Sequence, residues 1–266
     1  MIMPSDQLSP EDLEDLSYAK SLLENPTLGA RIANAVGSPI EKGLELLPKG
    51  ATKVISAATM KSLQVALSFA VSTMGERQQH SGNRIHKTMV AMTGATAGAF
   101  GLSALAVELP ISTTIMLRSI ADIARSEGER IKSLESRLAC LEVFALGGRA
   151  RGDNAAESGY FAVRVALAKA MTEAAEYIAE RGVAKGAAPP LVRFLTQIAA
   201  RFGIPVTEKA VAQSLPIVGA AGGALINTLF IDHFQDMARG HFIVRRLERG
   251  YGPELVRREY QKLPAK

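Results

Sequence analysis

The stretch from Thr88 to Arg125, TMVAMTGATAGAFGLSALAVELPISTTIMLRSIADIAR, constrains this chain more than any other. Its first twenty residues, Thr88 to Val107, carry no charge, and Glu108 is the only charge between Lys87 and Arg118. Gly94, Gly98 and Gly101 recur at helical spacing, which strips one face of side chains and lets another helix approach closely. The run is long enough to cross a bilayer. Six Ala, three Gly and four hydroxyl residues nevertheless leave only seven strongly apolar side chains. Each of those favours the bilayer centre by only about 0.3–0.6 kcal/mol, so the run reads as a buried core helix. A second uncharged run, Ala210–Ile231, echoes it with Pro216, Gly219, Gly222 and Gly223, and carries Gln213 and Asn227. It receives the same reading. The expectation is one all-α domain of about nine to eleven helices, with these two Gly/Ala-rich segments adjacent at its centre.

Composition agrees with close helix packing. The chain of 266 residues is 47% hydrophobic but only 5% aromatic, and has no Trp. No alternation of period two lasts long enough for a strand. The single cysteine, Cys140, excludes an internal disulfide and lies in the apolar LESRLACLEVFAL, where a buried thiol is expected. The start, MIMPSDQLSPEDLEDL, lacks the apolar core of a secretory signal, so a cytoplasmic protein is expected.

Helix signals punctuate the chain. Ser9 and Pro10 mark a capped start, with Glu11 and Asp12 favourable at the positive end of the helix dipole. Gly37-Ser38-Pro39 predicts a stop and restart, and a long helix follows from Lys49 to about Met74. Residues 75–87 and 149–158 read as polar loops, His80 and His86 having no acidic or Cys partner for a metal. Proline at 110 predicts a break after Glu108-Leu109, with Arg118 and Asp122 paired beyond it; Gly203-Ile204-Pro205 predicts another break. Gly147-Gly148 ends the helix that carries Leu138, Leu141 and Phe144, and an Ala-rich helix spans about Tyr160 to Arg181.

Several motifs resemble one family. Ser38-Pro39-Ile40-Glu41-Lys42, Leu47-Pro48 and Glu108-Leu109-Pro110 come first, followed by Leu117-Arg118-Ser119-Ile120 and Phe144-Ala145-Leu146. Leu215-Pro216-Ile217-Val218-Gly219, Gly222-Gly223, Asn227, His241-Phe242 and Arg245-Arg246-Leu247 complete the order. Together they resemble the EcsC protein family over roughly residues 38–251. The chain departs from it at Ser126-Glu127-Gly128, where the family more often has an aromatic residue before the glycine. The resemblance implies an association with a bacterial ABC transporter and brings no catalytic residues. It also suggests a division into an acidic helical segment (1–37), the EcsC-like domain (38–251) and a basic helical tail (252–266).

Three groups of side chains are candidates for function. Glu108, isolated among apolar residues, needs a cation such as Arg118 or backbone amides near Pro110; with Arg118 and Asn227 it is a ligand or structural polar candidate. Asp232, His233 and Asp236 are the candidate metal ligands, since His233 and Asp236 share a helical face. His241 lies about 12 Å further along a straight helix and joins them only if Gly240 bends it. Arg245, Arg246 and Arg249, with Arg257 and Arg258, put positive charge near the C-terminus. They meet either anionic headgroups or the acidic residues Glu248, Glu254, Glu259 and those of the first helix. The glycine runs precede no Lys-Ser/Thr pair and the basic end lacks stacking aromatics, which argues against nucleotide and nucleic-acid binding. The expected function is therefore a non-enzymatic helical protein at the inner membrane surface, with a membrane protein or anionic lipid as partner and no cofactor. The alternative is a hydrolase or metal-dependent enzyme built from Glu108 and the Asp232–His241 cluster.

Overall fold

A computed structural model describes residues 7–24, 27–37, 47–72, 102–148, 159–182, 188–214 and 219–264. Among them are nine helices and no strand. The chain is all-α, as its pattern requires. In order they are α1 (Pro10–Glu24), α2 (Leu28–Val36), α3 (Ala51–Ser72), α4 (Leu102–Ser126), α5 (Leu134–Leu146), α6 (Gly159–Arg181), α7 (Pro189–Gln213), α8 (Gly219–Tyr251) and α9 (Pro253–Lys262).

The helix starts are built by short polar side chains. Ser9 Oγ accepts the Asp12 N–H at 3.1 Å, Thr27 Oγ1 that of Ala30 at 3.3 Å, and Ser133 Oγ that of Ser136 at 3.2 Å. Each satisfies a donor that the first helical turn leaves open. Gly37, at φ +69°, closes α2 in the left-handed conformation that glycine adopts without strain.

The long helix α8 runs through the middle. At about 1.5 Å per residue its 33 residues reach from α7, at Phe230, past α1, at Gly240, with α4 alongside at Gln235 and the turn after α4 at Arg246. Phe144 of α5, Phe202 of α7 and Phe230 and Phe234 of α8 form its aromatic centre, with ring centroids 4.9–6.1 Å apart. Four of the nine phenylalanines are thus spent on one cluster, each pair contributing about 0.5–1.5 kcal/mol beyond its burial.

Helices α3 and α4 pack side by side. The Arg118 guanidinium lies 4.7 Å from the Phe69 ring centroid, and Arg137 donates to the Val71 carbonyl at 2.8 Å. The C-terminal end of α3 therefore lies against the second half of α4 and the start of α5.

Three local expectations are corrected, and the break at Gly240 that His241 would need to join His233 is not found. Helix α4 continues through Pro110 instead of breaking. The proline removes one hydrogen bond, but Leu105, Glu108, Leu109, Ser112 and Thr113 are all buried around it, and packing outweighs a local cost of about 3 kcal/mol. Helix α7 likewise passes through Pro205. The run 210–231 is not one helix: Ser214 N–H bonds back to the Ala210 carbonyl at 3.1 Å to close α7, and α8 opens at Gly219. Finally, α8 does not interrupt at Gly240. That glycine admits α1, because a Cβ there would lie 2.9 Å from the Ala19 carbonyl oxygen and 2.7 Å from Leu23 Cγ.

The readings of Gly94, Gly98 and Gly101, of the 75–87 and 149–158 loops, of Ser38–Lys42 and of Leu215–Val218 lie outside the described residues. So does most of the 88–107 segment, and with it the expected adjacency of the two uncharged runs.

Candidate functional site

Two polar centres are set into the helical core. The first joins α4 to α7. Lys209 Nζ lies 2.9 Å from both carboxylate oxygens of Glu108, the lysine fully buried and the glutamate 5% exposed. The Phe230 ring of α8 stands 4.7 Å from the same ammonium, a cation–π contact in a site screened from water. Asn227, fully buried, lies one turn before Phe230 on α8.

The partner of Glu108 is therefore Lys209 rather than Arg118. Arg118 is exposed and covers Phe69, while Asp122, its expected partner, pairs with Arg125. Sequence held a usable signal for Lys209. Phe202, Val206 and Lys209 fall at helical spacing, so the lysine occupies an apolar stripe where an unpaired charge would be costly.

The second centre joins α5, α6 and α8. His241 Nδ1 and the Tyr160 hydroxyl are hydrogen-bonded at 3.0 Å, and His241 Nε2 stands 3.8 Å from Glu142 Oε2. All three side chains are buried. Arg164, bidentate to Glu248 at 2.7 and 2.9 Å, lies 5.4 Å from the Tyr160 ring. Burial pushes the Glu142 carboxyl up to about 7, against the pull of Arg164 and Arg245. Burial, reinforced by Arg164 and Arg245, holds His241 well below the usual histidine range. The imidazole is neutral and the carboxyl retains its proton through most of the acid range. Glu142 is the sole charge between Leu138 and Leu146, which is the sequence mark of such a residue.

The candidate metal ligands do not converge. His233 Nε2 donates to the Gly147 carbonyl at 2.9 Å. Asp236 pairs with Arg31 of α2 at 3.0 Å and with Arg239 at 3.4 Å; burial raises its carboxyl despite Arg31. Asp232 is half-buried on α8. Among the described residues no group of three or more His, Cys, Asp or Glu side chains is arranged to hold an ion.

The candidate surface arginines divide. Arg245 Nε donates to Glu129 Oε1 at 2.8 Å, and Arg249 binds the same oxygen. Ser136 Oγ donates to Glu129 Oε2 at 2.7 Å. Burial alone would raise the Glu129 carboxyl, but the bonds from Arg245 and Ser136 and the charge of Arg249 bring it below its ordinary value. Arg246 pairs with Asp15 of α1 and, at 3.1 Å, with Glu127. These three arginines clamp α8 to α1 and to the turn after α4. Arg257 and Arg258 of α9 remain exposed, Arg257 5.7 Å from the Phe161 ring and Arg258 3.4 Å from Glu259. Glu129 gave no sequence signal, since Gly128-Glu129-Arg130 reads as an exposed turn.

The model of the EcsC protein family matches residues 7–247. The chain belongs to the EcsC protein family. The match begins within the acidic N-terminal segment and runs to Leu247 of α8, so it includes both polar centres and the arginine clamp of this EcsC protein. No curated protein and no solved structure matches the chain.

Proposed function

We propose that this EcsC protein is a non-enzymatic helical protein acting at the cytoplasmic surface of the membrane, where its partner is an ABC transporter, another membrane protein or the lipid itself. The observation that carries the reading is α3. Among the described helices it is the one long and apolar enough to span a bilayer: its most apolar 18 residues have a mean hydropathy of 1.5, yet only 44% of them are buried. A core helix of that hydropathy is expected to be mostly covered. The charges of α3 are Lys53 and Lys61, both exposed, and it contains no acid. An apolar helix with a partly cationic outer face suits the plane of a membrane interface.

The two polar centres support the same reading. Glu108, Lys209, Glu142 and His241 are all engaged with one another or their neighbours inside the core, where they join helices. The test is fractionation of cells expressing the full chain. The protein is expected with the membranes at low salt and in the supernatant at high salt, because electrostatic surface association is screened. Recovery in the supernatant at low salt overturns the reading.

A further inference from the structure

We propose that the outer face shared by α3 and α4 is the part of the protein that meets an anionic lipid surface. This rests on the membrane-surface reading above and names its contact face. Val107 and Ile111, one turn apart on α4, are 67% and 46% exposed; Val54 and Val65 on α3 are 42% and 40% exposed. The two helices lie side by side, and Arg118 of α4 covers Phe69 of α3. Val107, Ile111 and Arg118 share one face of α4 at i, i+4 and i+11, and Val54, Lys61 and Val65 share one face of α3 at i, i+7 and i+11, with Phe69 one turn after Val65. The Arg118–Phe69 contact joins these two outer faces, and Lys53 is exposed beside Val54.

Among the described residues the charge on this face has one sign. Helix α3 has no acidic residue. On α4, Glu108 is turned inward onto Lys209, and no further acid occurs until Asp122, past the exposed Arg118. Lys53 and Lys61 form no ion pair with any described residue. Both lysines can extend their aliphatic stems over the valines and place the ammonium at the headgroup level, while the valines and isoleucine enter the acyl boundary. The basic helix α9 is less suited. Glu259 binds both Arg258 and Lys262, and Arg257 lies over Phe161. Anionic phospholipid is the partner that matches a face whose described residues are cationic and aliphatic.

The chain has no tryptophan, so a single introduced one reports its own surroundings. Full-length protein with Ile111→Trp is mixed with phosphatidylcholine vesicles, with and without phosphatidylglycerol, and compared with Val165→Trp, whose site on α6 is 66% exposed. Only vesicles with phosphatidylglycerol are expected to bind. The Ile111→Trp emission is expected to shift to the blue and to be quenched by brominated lipid, and that of Val165→Trp to stay unchanged. Lys53→Gln with Lys61→Gln is expected to weaken binding about fivefold per lysine, with the melting temperature unchanged. If Ile111→Trp lowers the melting temperature, Val107→Trp serves as the probe. Bound protein with quenching at Val165→Trp and none at Ile111→Trp overturns the proposed face and leaves the membrane reading standing. A chain that fractionates with membranes but binds no vesicle overturns the lipid assignment in favour of a membrane protein. A chain that does neither removes the proposal and the membrane reading together.

Discussion

Lys209 and Glu108, 101 residues apart in the chain, meet at 2.9 Å through both carboxylate oxygens, with neither side chain reaching solvent appreciably. A buried pair of this kind contributes modestly as a pair, because each charge has lost its hydration. Removing one partner is different, since it strands the other. Lys209→Met is expected to lower stability by about 3–5 kcal/mol. Combining it with Glu108→Leu is expected to recover most of that loss. Urea unfolding of the two variants decides the matter: equal midpoints for the single and double variants would refute it.

The arginine clamp makes a graded prediction. Glu129 is 4% exposed at its side chain and Arg245 14%, so Arg245→Gln leaves a buried carboxylate short of its main donor and is expected to cost about 3 kcal/mol. Arg246 and Asp15 are about 40% exposed, and Arg246→Gln is expected to cost about 0–1 kcal/mol. Both variants are expected to bind anionic vesicles as the parent does. Lost vesicle binding at an unchanged melting temperature would instead return these arginines to the lipid-facing role that their sequence suggests.

The glycines differ sharply in what alanine would do. A Cβ on Gly148 would lie 2.0 Å from the Arg201 carbonyl oxygen, a backbone atom held in α7, and Arg201 Nη1 reaches back to the Gly148 carbonyl at 2.8 Å. Proline at 205 offers that Arg201 carbonyl no N–H, which lets the Gly148 backbone close on it. Gly148→Ala is expected to cost about 3 kcal/mol or more. Gly203, in the same helix, has nothing within 4 Å of its Cβ position, and Gly203→Ala is expected to gain up to about 1 kcal/mol through helix propensity. Thermal melts of both variants check the contrast.

Stability should depend on pH through Glu142 and His241. The folded Glu142 carboxyl, raised from 4.5 to about 7 by burial, contributes stability that is complete below the unfolded value and is lost as pH rises toward 7. The slope is about 1.4 kcal/mol per pH unit across that window. His241 acts oppositely. Its folded pKa is depressed by burial, so its contribution is present above the unfolded value of 6.5 and is lost as pH falls. The groups facing this pair are Tyr160, Arg164, Arg245 and Glu248. Below the unfolded histidine value the two slopes oppose each other in the parent protein. Glu142→Gln removes one of them, so its stability is expected to rise with pH more steeply than the parent's. Parallel profiles would show that the carboxyl does not titrate with folding.

The sequence alone determined the helical class, the capped start at Ser9, the end at Gly147-Gly148 and the family. Each of these depends on a few neighbouring residues: a side chain that reaches its own next turn, or an apolar stripe of period 3.6. It also marked Glu108 as a charge that needed a partner. Tertiary structure decided which partner, because Lys209 arrives from α7 through a contact that no local spacing encodes. It likewise decided that Pro110 and Pro205 stay within helices, where dense burial outweighs one lost hydrogen bond. The arginines show the same limit most clearly. Arg245, Arg246, Arg249, Arg257 and Arg258 look alike along the chain, yet the first three face Glu129, Glu127 and Asp15 across a packed interface and the last two face outward. Charge is written in the sequence, whereas the dielectric and the counter-charge around it exist only once the helices have come together.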